Sequence, residues 1–317
     1  MNTHNTKLGD FLKIKPECAT CIIRQIVDIS IEVTDDEIEQ FRLVKGCMPV
    51  INEEYHNNAV PAWMGTVIHR HFKKISNCED PYKRLKETAN DTAQNYIEDV
   101  ENKIKNSDNE LDRLKKCVLA TIAGNSIDFG PFSISEDIVP MIEHTLNSEL
   151  KIDCSKELLE DLKSAKKVLY ICDNAGEIVF DILLIKMIKK YVNDINDIVV
   201  AVKGKPILND ATMEDAENLK INEFAKVITT GSDIIGIILE ECSEEFLKEF
   251  EQADLIIAKG MGNFESLTEY NLNHKKLYYI LKAKCDPVAE FIGVDLKDSV
   301  LLSNKQLQKN LANIDKN

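Results

Sequence analysis

VLYICDNAGE, at residues 168–177, is the stretch that decides the fold. It begins with an unbroken run of β-branched, aliphatic and aromatic residues, which predicts a buried strand. The polar and glycine residues that follow predict a turn, and the segment from Glu177 to Lys190 predicts an amphipathic helix. Asp173 and Asn174 are therefore expected at the carboxyl end of a strand, where open α/β sheets bind their ligands.

Three later segments follow the same plan, in which an apolar run ends in polar and glycine residues. The runs are residues 197–202, 226–230 and 254–258, and a further strand is predicted at residues 277–281. Helical segments separate these runs, so the second half predicts βαβ crossovers and a parallel, doubly wound sheet. The carboxyl ends of parallel strands share one edge, which would collect lysines, carboxylates, amides and backbone N–H groups in one mouth.

The first half of the chain predicts helices and almost no strands. The helical segments are Glu17 to Ser30, a segment opened by a capping-box pattern at residues 34–37 that runs to about Tyr55, Pro61 to Phe72, a segment from Asp80-Pro81 to Lys105, and Leu111 to Ala123. We therefore predict an all-helical domain over residues 1–150. A three-layer α/β/α domain with a mostly parallel sheet follows over residues 151–317, and the polar tail after Ser303 predicts a frayed end.

Composition narrows the class of protein. The chain has 317 residues, of which 44% are hydrophobic and 29% charged, and its net charge is −15. This charge argues against nucleic acid or an anionic membrane as a partner, but a few local cations can still bind a phosphorylated substrate. Because no apolar run approaches the ~20 residues of a membrane span and the first ten residues lack a signal-peptide core, we predict a cytoplasmic protein. Its nine scattered cysteines predict mainly buried free thiols.

Asp173, Asn174 and Asp210 form a candidate metal site. Asp210 follows the next strand along the chain, so its carboxylate can approach the same mouth. Two carboxylates and an amide leave positions for water and substrate oxygen, as Mg²⁺ and Mn²⁺ sites do. The alternatives are an ordinary turn at Asp173 and Asn174, and a helix N-cap at residues 209–212.

Residues 259–263, KGMGN, form a candidate anion site. Gly260 and Gly262 open a predicted helix, where backbone N–H groups can approach a phosphate. Lys259 ends the strand, and a cation beside a metal site suits a bridging phosphoryl group. The alternative is a structural ion pair of Lys259 with Glu265 or Glu177. Neither the dinucleotide fingerprint nor the Walker pattern is present.

Cys18 and Cys21 form one CxxC pair in a predicted helix, with no second pair. Four ligands are needed for structural zinc, and the nearby histidines do not have the spacing to complete such a set. Core packing, metal binding and redox chemistry therefore remain open for the pair.

Taken together, these segments resemble the metal-dependent damage-control phosphatases, first catalogued as domain of unknown function 89 and also called ARMT-like. The resemblance spans almost the whole chain and rests on five motifs: residues 17–21 (ECATC), 123–129 (AGNSIDF), 173–177 (DNAGE), 205–212 (KPILNDAT) and 259–265 (KGMGNFE). The cysteine pair resembles the stand-alone, archaeal-type branch.

The resemblance implies hydrolysis of small phosphorylated metabolites such as sugar phosphates. It implies Mn²⁺, Co²⁺, Ni²⁺ or Mg²⁺ held by Asp173, Asn174 and Asp210, with metal-activated water as the nucleophile. Asp173 could instead attack covalently, as in haloacid-dehalogenase-like enzymes, but those show a second Asp where this chain has Ala175. Glu177 would orient water or Lys259. The resemblance assigns phosphate and substrate binding to Lys259, Gly260, Gly262, Asn263 and Glu265, and to Asn125 and Asp128 in the motif that ends the helical half.

Two rival functions come from other classes of protein. Carboxyl methyl transfer from S-adenosylmethionine would want a glycine-rich first strand-to-helix loop, whereas residues 173–176 supply one glycine and two metal donors. A regulatory module that binds metal or nucleotide without catalysis would also explain acidic strand ends. The convergence of metal donors with Lys259 favours catalysis over both.

Overall fold

A seven-stranded sheet forms the centre of the protein, of which the computed structural model describes residues 12–126, 138–192 and 194–314. In spatial order the strands are β1-β7-β6-β5-β2-β3-β4, and every neighbouring pair is parallel except β6 and β7. Their bounds are β1 (Ile152–Asp153), β2 (Val168–Ile171), β3 (Ile198–Val202), β4 (Lys226–Thr229), β5 (Leu255–Lys259), β6 (Lys276–Lys282) and β7 (Ser299–Ser303). The predicted mostly parallel α/β class is confirmed.

The helices cover both faces of this sheet, and the first three helices of the chain form a separate core of their own. Their bounds are α1 (Cys18–Val33), α2 (Glu37–Glu54), α3 (Pro61–Ser76), α4 (Lys83–Lys105), α5 (Glu110–Ser126), α6 (Ile138–Leu146), α7 (Ser155–Ser164), α8 (Glu177–Ile188), α9 (Met213–Asn218), α10 (Glu244–Gln252), α11 (Gly260–Leu267), α12 (Asp286–Ile292) and α13 (Asn304–Ile314). Within the described ranges, no helix is both long and apolar enough to cross a membrane.

Alternation along the strands separates two cores, one on each face of the sheet. In β2, Val168 and Tyr170 face the core that contains α8, whereas Leu169 and Ile171 face the core that contains α11 and α12. Helices α4 and α5 contribute to the α8 core, while α1 to α3 enclose a separate core of their own. The predicted division into residues 1–150 and 151–317 stays a prediction, and the first core crosses it.

Three local predictions are wrong. Helix α8 is not amphipathic, because it lies between the sheet and α4 and α5 and every residue except Lys186 is buried. The tail after Ser303 forms α13 as far as Ile314, the last residue described, because Leu307 and the half-buried Leu311 place an apolar face on the sheet. The capping box at residues 34–37 does not form, since Asp36 is the N-cap of α2 and accepts from the Ile38 N–H at 3.0 Å.

We expect Leu114→Ala in α5 to lower the free energy of unfolding by about 2–5 kcal/mol. Leu114 is fully buried in the core that α5 shares with the sheet, so its loss leaves a cavity there. The same change at Leu247, on the surface of α10, is the matched control, because that side chain is 37% exposed. Urea unfolding measures both, and equal losses would contradict a core shared by α5 and the sheet.

Candidate active site

The strand order reverses between β2 and β5, since β3 and β4 lie on one side of β2 and β5 and β6 lie on the other. Such a reversal opens a crevice at the carboxyl ends of the two strands, where ligands bind in doubly wound folds. Residues from the loop after β2 meet the start of α11, which follows β5. Gly260 is so close that a Cβ atom there would lie 1.8 Å from Asp173 Oδ2.

Backbone hydrogen bonds lock the loop after β2 against the loop after β3. Asn174 and Asp210 form an isolated antiparallel bridge. The Ala211 N–H donates to the Asp173 carbonyl at 2.8 Å, and the Ala175 N–H donates to the Asn209 carbonyl at 2.8 Å. The structure thus brings Asp173, Asn174 and Asp210 to one place.

The alternative of a helix N-cap at residues 209–212 is confirmed for the last residue of that segment, but Asp210 itself is not the cap. The residue that caps α9 is Thr212, in a capping box with Asp215. Asp210 is instead buried beside Lys203, whose ammonium lies 3.4 Å from Asp210 Oδ2. Its carboxylate therefore belongs to the mouth.

A chain of side chains leads from Asp173 into the core. Asn125, from the end of α5, donates through its amide Nδ2 to Asp173 Oδ2 at 2.9 Å and also to the Glu177 carboxylate. The other oxygen of Glu177 accepts from the Lys259 ammonium. That ammonium also donates to Asp181 Oδ1 at 2.9 Å. Asn125 thus connects Asp173 by hydrogen bonds to the buried ion pair of Glu177 and Lys259.

Lys259 forms the ion pair with Glu177 that the sequence analysis gave as the structural alternative to phosphate binding. Its side chain is fully buried and paired with Glu177 and Asp181 on α8, so Glu177 lies between its ammonium and Asn125. Asp181 Oδ1 also accepts from the Tyr170 hydroxyl at 2.7 Å. The Lys259 ammonium thus contacts Glu177 and Asp181, and the predicted contact of Lys259 with phosphate stays a prediction.

Negative charge accumulates at the mouth. Burial, with the nearby charges of Glu177 and Asp210, raises the pKa of the Asp173 carboxyl well above its usual range. Burial raises the pKa of Asp210 to about 6 despite the adjacent Lys203. A bound cation would relieve this repulsion, and carboxylate and amide oxygens are donors that hard divalent ions accept.

This donor set fits an open divalent site rather than a closed structural one. Throughout the described residues, no group of three or more His, Cys, Asp and Glu side chains has the arrangement of a metal site. The predicted set has two carboxylates and the amide of Asn174, so substrate or water oxygens would have to complete it. Asp173 and Asn174 are half-buried, so solvent reaches part of each residue.

Comparison with known proteins agrees with this geometry. Residues 14–300 match the family described as the damage-control phosphatase ARMT1-like domain. The chain is 37% identical over 294 residues to a damage-control phosphatase of Pyrococcus horikoshii, covering 93% of this chain and 99% of that protein. This chain belongs to the damage-control phosphatase ARMT1-like family. The family predicted from the motifs is confirmed, and the chain is a phosphatase of that family.

Other relatives extend the comparison. An uncharacterized protein of Methanocaldococcus jannaschii is 67% identical over 297 residues, which is 93% of this chain and 96% of that protein. A crystal structure of a family member from Pyrococcus horikoshii superposes with a TM-score of 0.83 at 36% identity, covering 92% of this chain and 99% of that one. The fold is therefore the fold of this family.

The remaining predicted substrate residues differ in their surroundings. Asn263 is buried and donates to the carbonyls of Cys172 at 3.0 Å and Lys259 at 2.7 Å, so it joins β2 to β5. Gly262 packs against Gly236, and burial raises the pKa of the Glu265 carboxyl to about 7. Asp128 lies outside the described residues. That Gly262, Asn263, Glu265 and Asp128 bind phosphate or substrate stays a prediction.

Two further lysines lie near the mouth. The sequence analysis expected lysines at this edge of the sheet but assigned no role to Lys203 or Lys284. Lys203 is 3% exposed and donates to the Gly236 carbonyl at 2.6 Å. The sequence could have indicated Lys203 as a site residue, because it follows the end of β3 directly, and Lys259 stands at the end of β5 in a similar way. Lys284 donates through Nζ to the Asn125 carbonyl at 2.7 Å. It is an exposed residue beyond β6, and nothing in the sequence near it marks a site.

The cysteines are free throughout the chain. The prediction of mainly buried thiols is wrong, because Cys47, Cys117 and Cys172 are buried, Cys21 is exposed, and the other five have intermediate exposure. Cys18 and Cys21 lie in the first turn of α1. We expect neither thiol to be needed for hydrolysis, because both lie in the helical first half, away in sequence from every strand end of the mouth.

We expect Gly260→Ala to damage the site beyond its backbone cost. Gly260 has φ +75°, and the added Cβ would collide with the Asp173 carboxylate. Gly293→Ala is the matched control, since Gly293 has φ +84° and nothing within 4 Å of its Cβ position. Both variants should lose about 1–2 kcal/mol of stability from the left-handed backbone. Only Gly260→Ala should also lose turnover, and equal turnover in the two variants would contradict the close approach.

We expect Lys259→Met to lower the free energy of unfolding by about 3–5 kcal/mol at pH 7, because Glu177 and Asp181 then lose their buried counter-ion. Burial already raises the pKa of Asp181 to about 6 in the folded protein, against about 3.9 when unfolded. Removing the Lys259 ammonium raises this pKa further, so as the pH falls the folded state of the variant binds a proton at a higher pH than the unfolded state does. Stability of the variant should therefore recover as the pH falls from 7 to 5.

Lys103→Met is the control for this comparison. Lys103 pairs with Glu143 at 2.6 Å, but both side chains are 49% exposed. An exposed pair contributes about 1 kcal/mol or less. Urea unfolding at pH 7 and pH 5 measures both variants, and a Lys259→Met variant as stable as Lys103→Met would rule out a supporting role for the buried pair.

Proposed function

We propose that this protein is a metal-dependent phosphomonoester hydrolase of small phosphorylated metabolites, with water as the direct nucleophile. The convergence of Asp173, Asn174 and Asp210 at the strand reversal is the observation that carries the proposal. Mn²⁺, Co²⁺, Ni²⁺ and Mg²⁺ are the candidate ions, and a bound ion would supply Lewis-acid polarisation of the phosphoryl group. A cytoplasmic location is part of the same proposal.

The protein's own residues hold this site in one geometry. Asn125 donates to Asp173 and Glu177 at once, which fixes the orientation of the Asp173 carboxylate. The Lys259 ammonium donates to the other oxygen of Glu177 and so holds this carboxylate in place as an acceptor for that amide. We assign Lys259 and Glu177 as positioning residues. Backbone N–H groups at the start of α11 are candidate donors to the phosphoryl oxygens.

The methyltransferase alternative is less compatible with the loop between β2 and α8. Gly176 adopts φ +77°, and its N–H donates to Asn90 Oδ1 at 2.7 Å. The Nδ2 atom of Asn90 donates to Asp215, which forms the capping box of α9 with Thr212. The one glycine of the loop is thus occupied by protein contacts at the place where a nucleotide cofactor would need to approach.

We expect hydrolysis of an aryl phosphate that chelation abolishes and one of the four divalent ions restores. Asp173→Asn should lower kcat by at least about 10²-fold, while thermal stability is kept or raised, because a like charge leaves a crowded site. Asp36→Asn is the control, since asparagine also caps helices and α2 is remote in sequence from the mouth.

The activity, the metal content and the melting temperature of the wild type and of both variants are measured on the same preparations, the activity by steady-state kinetics. Undiminished activity in the presence of chelator would contradict metal dependence. Full metal content in Asp173→Asn would show that the Asp173 carboxylate is not a ligand.

A further inference from the structure

Helix α4 contributes one buried side chain, Asn90, to the two loops that carry the candidate metal donors. Asn90 is 8% exposed and lies in the interior of the helix. Its Oδ1 accepts from the Gly176 N–H at 2.7 Å, and its Nδ2 donates to Asp215 Oδ1 at 2.7 Å. A single amide therefore joins the start of α8 to the first turn of α9.

The two partners of Asn90 stand at the far ends of these loops. Gly176 is the N-cap of α8 and ends the loop after β2. Asp215 Oδ2 accepts from the N–H of Thr212 at 2.8 Å and from its hydroxyl at 2.7 Å, and Thr212 follows Asp210 by two residues. The amide of Asn90 thus fixes where the loop after β2 lies relative to the loop after β3.

The orientation of the Asn90 amide is set by the chemistry of its partners. A backbone N–H only donates, whereas the ionised carboxylate of an aspartate only accepts. The amide oxygen must therefore face Gly176 and the amide nitrogen must face Asp215. Both hydrogen bonds are buried, so removing the amide leaves a buried donor and a buried acceptor without this partner.

The backbone hydrogen bonds between the two loops depend on this placement. The Ala211 N–H donates to the Asp173 carbonyl and the Ala175 N–H donates to the Asn209 carbonyl, each at 2.8 Å. These bonds lie beside the candidate donors, whereas Asn90 ties the loops together where they enter α8 and α9. If that tie is lost, the loops can separate from their helical ends, and these two backbone bonds will open more often.

We propose that Asn90 is a positioning residue, which holds the loops after β2 and β3 in the arrangement that brings Asp173, Asn174 and Asp210 together. It acts through the two loops rather than on the substrate itself. The inference rests on the proposed function where it concerns metal binding. The arrangement of the loops can be measured without a metal, so the two proposals can fail separately.

The test variant is Asn90→Ala, and the matched control is Asn304→Ala. Alanine has the highest helix propensity, so α4 itself is kept. Asn304 is likewise buried, at 6% exposure, and its Nδ2 donates to the Leu272 carbonyl at 2.9 Å. It follows β7, which is antiparallel to β6, so it lies at the edge of the sheet opposite the mouth. Both variants lose a buried amide, but only one loses it from the loops.

A charge-conserving exchange provides a second test. In Asn90→Asp alone, two carboxylates face each other where the amide donated to Asp215. Adding Asp215→Asn restores that hydrogen bond, because the amide at position 215 then donates to the carboxylate at position 90. The Gly176 N–H keeps its acceptor, and the amide oxygen at position 215 can still accept from Thr212. We therefore expect Asn90→Asp to resemble Asn90→Ala and the double variant to resemble the wild type.

Two measurements are made on each variant. Hydrogen–deuterium exchange of the metal-free protein is followed by mass spectrometry in peptides that contain Ala175 and Ala211. We expect exchange in these peptides to be about tenfold faster in Asn90→Ala, the size of one buried hydrogen bond, and unchanged in Asn304→Ala. Calorimetry with Mn²⁺ should show a dissociation constant raised by about tenfold or more in Asn90→Ala, as is typical when the support of a metal ligand is removed.

Wild-type exchange in Asn90→Ala would overturn the inference and leave the proposed function intact. Equal acceleration in Asn304→Ala, an unchanged Mn²⁺ affinity in Asn90→Ala, or a double variant that does not recover would each overturn it as well. If the wild type binds no Mn²⁺, but exchange accelerates in Asn90→Ala alone of the two alanine variants and recovers in the double variant, the positioning of the loops stands and the metal proposal fails for this ion.

Discussion

The buried ion pair of Lys259 with Glu177 and Asp181 is the interaction on which the rest of the site depends. A lone ammonium would not remain charged with its side chain fully buried, so the two carboxylates of α8 must accompany it. Their bonds tie the end of β5 to α8 across the strand reversal, and the Tyr170 hydroxyl adds β2 to the same group. The end of β5, α8 and β2 are therefore held together by this buried group as well as by the backbone hydrogen bonds between β2 and β5. That rigidity suits a site whose ligands must keep their geometry while substrate enters and product leaves.

Local sequence predicted much of this arrangement, because parallel buried strands have a strong signal. β-Branched runs identified β2 to β6, and the polar residues after them identified Asp173, Asn174 and Asp210 as neighbours in space. The edge strand β1 and its neighbour β7 were missed, since two residues and a short run before the tail carry little periodicity. The same limit applied to α13, whose apolar face is visible only when the sheet that it covers is known.

The partners of charged side chains could not be predicted in the same way. Lys259 is adjacent in sequence to the glycines of α11, which suggested an anion in the mouth, but side chains alternate across a strand and Lys259 points to the α8 side with Ile257. The register of β5 with β2, which only the three-dimensional structure supplies, decides that direction. Lys284 was missed for a related reason. Its role follows from its contact with the Asn125 carbonyl, 159 residues away in sequence.

Asn125 shows why the helical first half and the sheet must form together. Its side chain joins Asp173 to Glu177, yet it is carried by α5, and α5 is held in place by the core that it shares with α8. Gly124 allows this approach, because a Cβ atom there would lie 2.9 Å from Glu177 Cα. The carboxylates at the strand ends repel one another, and the amide from α5 is the neutral group that bridges two of them. The site is thus a product of helix packing as much as of sheet topology, and a sheet domain without α5 would leave its carboxylates without the amide that orders them.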